Sequence, residues 1–360
     1  MADEVPRLDA LEGWPAPEEQ PHWYGSASAE TALLEAYRGG RMHHAWLLGG
    51  PKGIGKATFA YRFARFAFAH PDPRTPSVAA ARDLSVPPGS PSFRRVAGRA
   101  HPNLLAMQRP WDERNKRYKT ELTVDEIRRT VGFFGSTVGE GGWRIGIVDP
   151  ADDMNPSAAN ALLKVLEEPP ARALFLVISH APGRLLPTIR SRCRRLDLAP
   201  LAPEAIVAAI RENGGVDAND DDLALAATLA EGSLRRAILL LEGDGIDTYR
   251  DLARLATGGN GFDVSAMHAL ADKVSGRGAN DAYDSFLETV RGWLGRRVRG
   301  EPEPIAEAAP GEAIRAVPLA RWAEVWEKVT QSSTEAEDLN LDRKQVVLSI
   351  LMSLARAARM

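Results

Sequence analysis

The sequence predicts an α/β domain built on a parallel sheet, followed by an all-α region. Three observations carry that expectation. Short apolar runs such as Ala45-Trp46-Leu47-Leu48 and Leu174-Phe175-Leu176-Val177-Ile178 lack the alternation of a half-buried strand, and helical patterns separate them. A glycine loop, Gly50-Pro51-Lys52-Gly53-Ile54-Gly55-Lys56-Ala57, joins the first run to a helix. Beyond Leu201 the β signal stops, and alanine- and leucine-rich helical patterns run to residue 360.

The elements follow in order. Residues 1–25 are rich in Pro, Glu and Trp and show no period, which predicts an extended lead-in. Ala29 to Tyr37 carries helical spacing and stops at Gly39-Gly40, a C-cap signal. Strand, glycine loop and a helix over residues 57–66 come next. Residues 70–120 hold Pro-rich stretches and a basic run from Arg109 to Lys119, which predicts an irregular insertion. A helix is expected from Thr123 to near Gly135, a buried strand at Arg144-Ile145-Gly146-Ile147-Val148, and a helix from Asn155 that Pro169-Pro170 must stop. Short helices over 203–242 and longer ones over 245–360 place domain boundaries near 198 and 244. The expected division is therefore 1–198, 199–243 and 244–360.

Composition narrows the function classes. The 360 residues hold 45 Lys plus Arg and 48 Asp plus Glu, a net charge of -3, with 44% hydrophobic residues. The average conceals a basic excess of six over residues 88–200 and an acidic excess of eight over 201–360. No apolar run is long enough to span a membrane and the start is acidic, so a cytoplasmic protein without a membrane partner is expected. The single cysteine, Cys193, rules out an internal disulfide and a multi-thiolate zinc site.

The glycine loop is the strongest chemical signal. Glycines let backbone N–H groups converge on a phosphate, a helix N-terminus adds its dipole, and Lys56 supplies a point charge. The residue after that lysine should offer a hydroxyl to Mg²⁺, and it is Ala57. Thr58 is rotated by about 100° along the helix and should point elsewhere. Asp149, at the end of the 144–148 strand, supplies a carboxylate beside the expected metal shell, and Pro150 follows it. Asp152 and Asp153 read as N-caps of the next helix.

Three segments in order resemble the AAA+ clamp-loader family of bacterial DNA polymerase III, and most of all its delta-prime type. They are His43 to Lys56, Asn160-Ala161-Leu162-Leu163-Lys164-Val165-Leu166-Glu167-Glu168-Pro169-Pro170, and Pro187-Thr188-Ile189-Arg190-Ser191-Arg192-Cys193. The resemblance covers roughly residues 20–245; the C-terminal third matches only in helical character. It implies a RecA-like P-loop domain, a small helical lid and an all-α collar that holds a hetero-pentamer of gamma/tau- and delta-type subunits together. The assembly would load the sliding clamp on primed DNA.

The resemblance also assigns roles. It makes Ser191-Arg192-Cys193 the family's SRC motif, with Arg192 the finger reaching ATP on the neighbouring subunit. An ion-paired arginine at a strand end is the plainer alternative. Ser179 falls where the family has a first sensor, with His180 beside it in a turn. Within Gly232-Ser233-Leu234-Arg235-Arg236, Arg235 is the phosphate-facing second sensor and Arg236 a surface residue. ATP or ADP would then meet residues 50–58, Asp149, Ser179 and Arg235. The family's water-orienting glutamate is replaced by Pro150, and the cysteines of its zinc module are missing from 67–122, so weak or non-hydrolysed nucleotide and no zinc are expected.

Two other readings stay open. An active gamma/tau-like ATPase needs Ser or Thr after Lys56 and Glu after Asp149. A nucleic-acid module would use the basic stretch from Arg94 to Lys119, where Trp111 and Tyr118 interleave with the charges, although such insertions are more often solvated loops.

Overall fold

The computed structural model describes residues 5, 7–8, 10–40, 42–135, 142–257, 262–276, 280–305, 317–339 and 341–359. The chain divides once, into a unit over residues 1–205 and a unit over 206–360, so position 244 lies inside the second.

The first unit holds a five-stranded parallel sheet in the order β2-β5-β6-β1-β7. Its strands are β1 (Ala45–Gly49), β2 (Leu104–Met107), β5 (Arg144–Val148), β6 (Ala173–Ser179) and β7 (Arg194–Asp197). Every residue of β1 and β6 is buried, as the unbroken apolar runs require of strands covered on both faces. The pleat sorts β6 cleanly. Leu174, Leu176 and Ile178 join a core with α1 (Ala27–Arg38), α2 (Lys56–Ala69) and α4 (Pro91–Ala97), whereas Ala173, Phe175 and Val177 join one with α5 (Val124–Gly135), α6 (Pro156–Glu167) and α7 (Pro187–Arg192).

One part of this unit differs from the sequence reading. The 70–120 segment is not irregular throughout: it contains α3 (Pro76–Ala80), α4, the edge strand β2 and a hairpin of β3 (Trp111–Asp112) with β4 (Arg117–Tyr118). In that hairpin Trp111 and Tyr118 face each other edge to face at 5.2 Å. Meanwhile the lead-in before Ala27 forms no helix or strand among its described residues, but it is firmly held. Arg62 of α2 donates to the Pro21 carbonyl and pairs with Glu30 at 2.7 Å, Arg65 donates to the Gln20 carbonyl, and buried Glu18 pairs with Arg99 at 2.6 Å.

The second unit is helical. It contains α8 (Pro203–Asn213, beginning just before the division), α9 (Asp220–Leu229), α10 (Leu234–Glu242), α11 (Gly245–Thr257), α12 (Val264–Ser275), α13 (Asn280–Arg299), α14 (Leu319–Leu339) and α15 (Arg343–Arg359). One core runs from Ala226 to Ala357, with Trp293 and Trp322 perpendicular at 5.5 Å in its interior. Asn340, named with the last helix in the sequence reading, lies outside the described residues. Among the described residues no helix is long and apolar enough to cross a membrane.

Candidate nucleotide site

In open parallel sheets ligands bind beyond the carboxyl ends of the strands, where the strand order switches direction. Here that point lies beside β1, because the chain leaves β1 for β2 at one edge of the sheet and leaves the adjacent β6 for β7 at the opposite edge. The glycine loop leaves β1 at this end. Gly50 has φ +141° and a Cβ there would meet the Leu198 carbonyl oxygen at 2.7 Å, so only glycine fits. Gly55 caps α2 in the left-handed region and offers no side chain, which leaves the first amides of α2 turned toward the loop.

Lys56 is 3% exposed, and its ammonium donates to the Gly50 carbonyl at 2.7 Å and the Pro51 carbonyl at 2.5 Å. Burial pushes its pKa down to about 8, opposed by the charges of Asp149 and Asp152. The loop lysine is thus satisfied by its own loop. Ala57 and Thr58 follow on α2, and Ala57 packs against the core as a methyl group. Lys52 is exposed, Pro51 is exposed and Ile54 is buried. Trp23 of the lead-in lies against Phe59, 4.9 Å between rings, and would be 3.3 Å from a Cβ on Gly55, so the lead-in flanks the start of α2.

Asp149 follows β5, and Gln108 donates to its Oδ2 at 3.3 Å. Gln108 went unnoticed in the sequence, since its neighbouring strand was unrecognised. Asp152 does not cap the next helix as expected; Asn155 does, accepting from the Ala158 amide at 2.9 Å. Asp152 instead accepts from Ser179 Oγ at 2.9 Å, the His180 amide at 2.6 Å and the Ala181 amide at 3.0 Å. Asp153 pairs with Arg109 at 3.1 Å. Ser179 is fully buried with its hydroxyl on Asp152.

Arg192 ends α7. One arm of its guanidinium reaches Glu167 at 2.8 Å and another the Thr188 carbonyl at 3.0 Å, with about a third of the side chain exposed. The adjacent Cys193 is buried, and burial pushes its thiol up to about 12. Arg235 stands in the first turn of α10, in the second unit; its neighbour Arg236, expected on the surface, meets Glu231 at 3.6 Å and the Glu288 carbonyl at 3.4 Å.

The glycine loop and the carboxylates of Asp149 and Asp152 surround Lys56, and comparison with known sequences gives the family. The pattern of the family described as "DNA polymerase III, delta subunit" matches residues 25–202. A DNA polymerase III subunit delta' from Pseudomonas aeruginosa is 39% identical over 165 residues, 46% of this chain and 46% of the relative. The chain belongs to the delta-prime-type clamp-loader family. The Escherichia coli delta' subunit is 30% identical over 212 residues, 59% of this chain and 58% of the relative. The tau subunit of Bacillus subtilis is 31% identical over 275 residues, 73% of this chain and 44% of the relative. The matched stretches span about half the length of these curated relatives.

The loop has the conformation to cradle a phosphate, and the two positions beside it, Ala57 and Pro150, carry no polar side chain. Gly50, Gly53 and Gly55 all take positive φ, so the loop can turn its amides toward an anion. The hydroxyl that would hold a metal is missing at Ala57, and Pro150 has no side-chain donor or acceptor.

Proposed function

We propose that this chain is a clamp-loader subunit that does not hydrolyse ATP and that sets Arg192 against ATP held by a neighbouring motor subunit. The observation that carries the reading is the P-loop itself: Lys56 is held by its own loop carbonyls in a site with Ala57 and Pro150 at the two hydrolytic positions. ATP or ADP in this pocket would be a bound ligand, contacted by residues 50–58, and not a substrate. Ser179 is our choice for the first sensor and Arg235 for the second.

Arg192 supplies what the neighbour needs. A guanidinium is always charged and can meet a phosphate with two parallel donors, and an arginine given in trans can raise phosphoryl-transfer rates by about 10³–10⁵. Its one ionic partner is a half-exposed carboxylate, Glu167, beside the Thr188 carbonyl, and exposed ion pairs are worth only ~0–1 kcal/mol, so a phosphate can displace Glu167. In this reading residues 199–243 form the lid and 244–360 the collar of a cytoplasmic hetero-pentamer with gamma/tau- and delta-type subunits. That assembly opens the sliding clamp and sets it on primed DNA.

Turnover by the separated components tests the reading. The purified chain with Mg·ATP is expected to show no turnover above blank, and a reconstituted complex carrying Lys56→Ala is expected to keep its DNA-stimulated rate. Hydrolysis by the chain alone, abolished by Lys56→Ala, would establish a gamma/tau-like motor instead.

A further inference from the structure

We infer that Asp152 is a positioning residue for Arg192, an inference that rests on the role given to Arg192 above. Asp152 stands on the short turn Ala151–Asp153 directly after Asp149 and Pro150. Its carboxylate collects three donors from one place, the exit of β6: Ser179 Oγ and the Ala181 amide on Oδ1, and the His180 amide on Oδ2. Hydrogen bonds to an ionised acceptor are shorter and roughly twice as strong as neutral ones. The 2.6 Å contact to His180 fits that class.

The exit of β6 leads through the turn Pro182–Arg184 into α7, which is only six residues long and whose N-cap, Leu186, makes no side-chain cap. So short a helix does not hold itself in place. Its apolar grip comes from Leu185, Ile189 and Cys193 in the core under the sheet. At its far end Arg192 touches Glu167 of α6, and at its near end the chain is fastened by Asp152. The same turn thus carries Asp149 to the P-loop side, where Lys56 senses both Asp149 and Asp152, and fixes the segment that ends in Arg192. A finger must present its donors within fractions of an ångström of the reacting phosphate, and a 1 Å misplacement can cost about 10²-fold in rate. Asp152 supplies that constraint without touching the nucleotide of the neighbour.

The test is a double-mutant cycle in the reconstituted complex holding the full chain. Asp152→Asn turns one acceptor oxygen into a donor facing an amide donor, so the connection loosens. Turnover at the one ATP site that Arg192 would serve is expected to fall roughly 10–100-fold with KM for ATP at that site unchanged. The double variant Asp152→Asn with Arg192→Ala is expected to be no slower than Arg192→Ala alone, since both act through one group. Asp153→Ala, which removes the adjacent pair with Arg109, should run at the wild-type rate. An unchanged rate for Arg192→Ala overturns the role given to Arg192. A slow Arg192→Ala with a normal Asp152→Asn, or losses that multiply in the double variant, overturns the role of Asp152 alone. Asp152→Ser, which keeps one oxygen and no charge, is the second variant. If neither substituted chain enters the complex, Asp152 serves folding and the inference fails.

Discussion

Lys56→Met isolates the cost of burying the P-loop lysine. In the folded chain that ammonium has a pKa of about 8 against 10.5 when solvated, and desolvation is the largest cause. Below pH 8 both folded and unfolded chains bind the proton, and the folded chain bears the whole cost of charging a buried amine, about 3 kcal/mol. Between pH 8 and 10.5 the unfolded chain keeps the proton and the folded chain has lost it. The unfolded state then binds more protons, so stability rises with pH over that window. By pH 9.5 about 2 kcal/mol of the cost has been relieved. The methionine variant has no such proton. Stability of the wild type minus that of Lys56→Met should therefore increase by about 2 kcal/mol between pH 7 and pH 9.5, read from urea unfolding with equal slopes. Tyr37, Tyr61 and Tyr249, whose pKa values burial raises, belong to both chains and cancel in the difference. A difference that stays flat with pH would show a solvated ammonium and refute the reasoning; a decrease would show Asp149 and Asp152 outweighing burial.

Other expectations concern the frame around the site. Glu30→Ala should destabilise the first unit by up to about 3–5 kcal/mol in urea unfolding, because it leaves buried Arg62 only the more distant Asp83 carboxylate at 3.8 Å and the Leu84 amide without its acceptor. Gly50→Ala should cost roughly 1–3 kcal/mol in backbone strain and lower the unfolding temperature, since its φ of +141° and the Leu198 carbonyl leave no room for a methyl group. Wild-type stability in that variant would mean the loop takes another path. Cys193, with its thiol pushed up to about 12, should resist alkylation at pH 8 until the chain unfolds; fast labelling of the native protein would show it accessible.

The elements legible in the sequence were those whose surroundings are uniform. β1, β5 and β6 are covered on both faces, so their composition alone marks them, and the loop and helix after β1 are fixed by glycine and lysine spacing. The edge strands were not legible. β7 reads Arg194-Arg195-Leu196-Asp197 with three exposed positions, and Arg194 lies over the Trp46 ring at 4.8 Å, a partnership that only the folded sheet creates. β2 hides between prolines in a stretch whose alternating burial makes too short a pattern. At the site, the identity of Lys56, Asp149 and Arg192 could be read from motifs, but not what they touch. Asp152 is the clearest instance: two adjacent aspartates before a helix look like caps, and only the approach of β6 to that turn reveals which donors claim the first of them.

The central claim is that this chain serves a reaction it does not perform. DNA-stimulated ATP hydrolysis by the reconstituted complex, with Arg192→Ala in this chain alone and assembly verified, measures it most directly. One of the complex's ATP sites should lose turnover by about 10³-fold or more while the chain's own pocket contributes nothing. A complex with Arg192→Ala that hydrolyses ATP at the wild-type rate would contradict it.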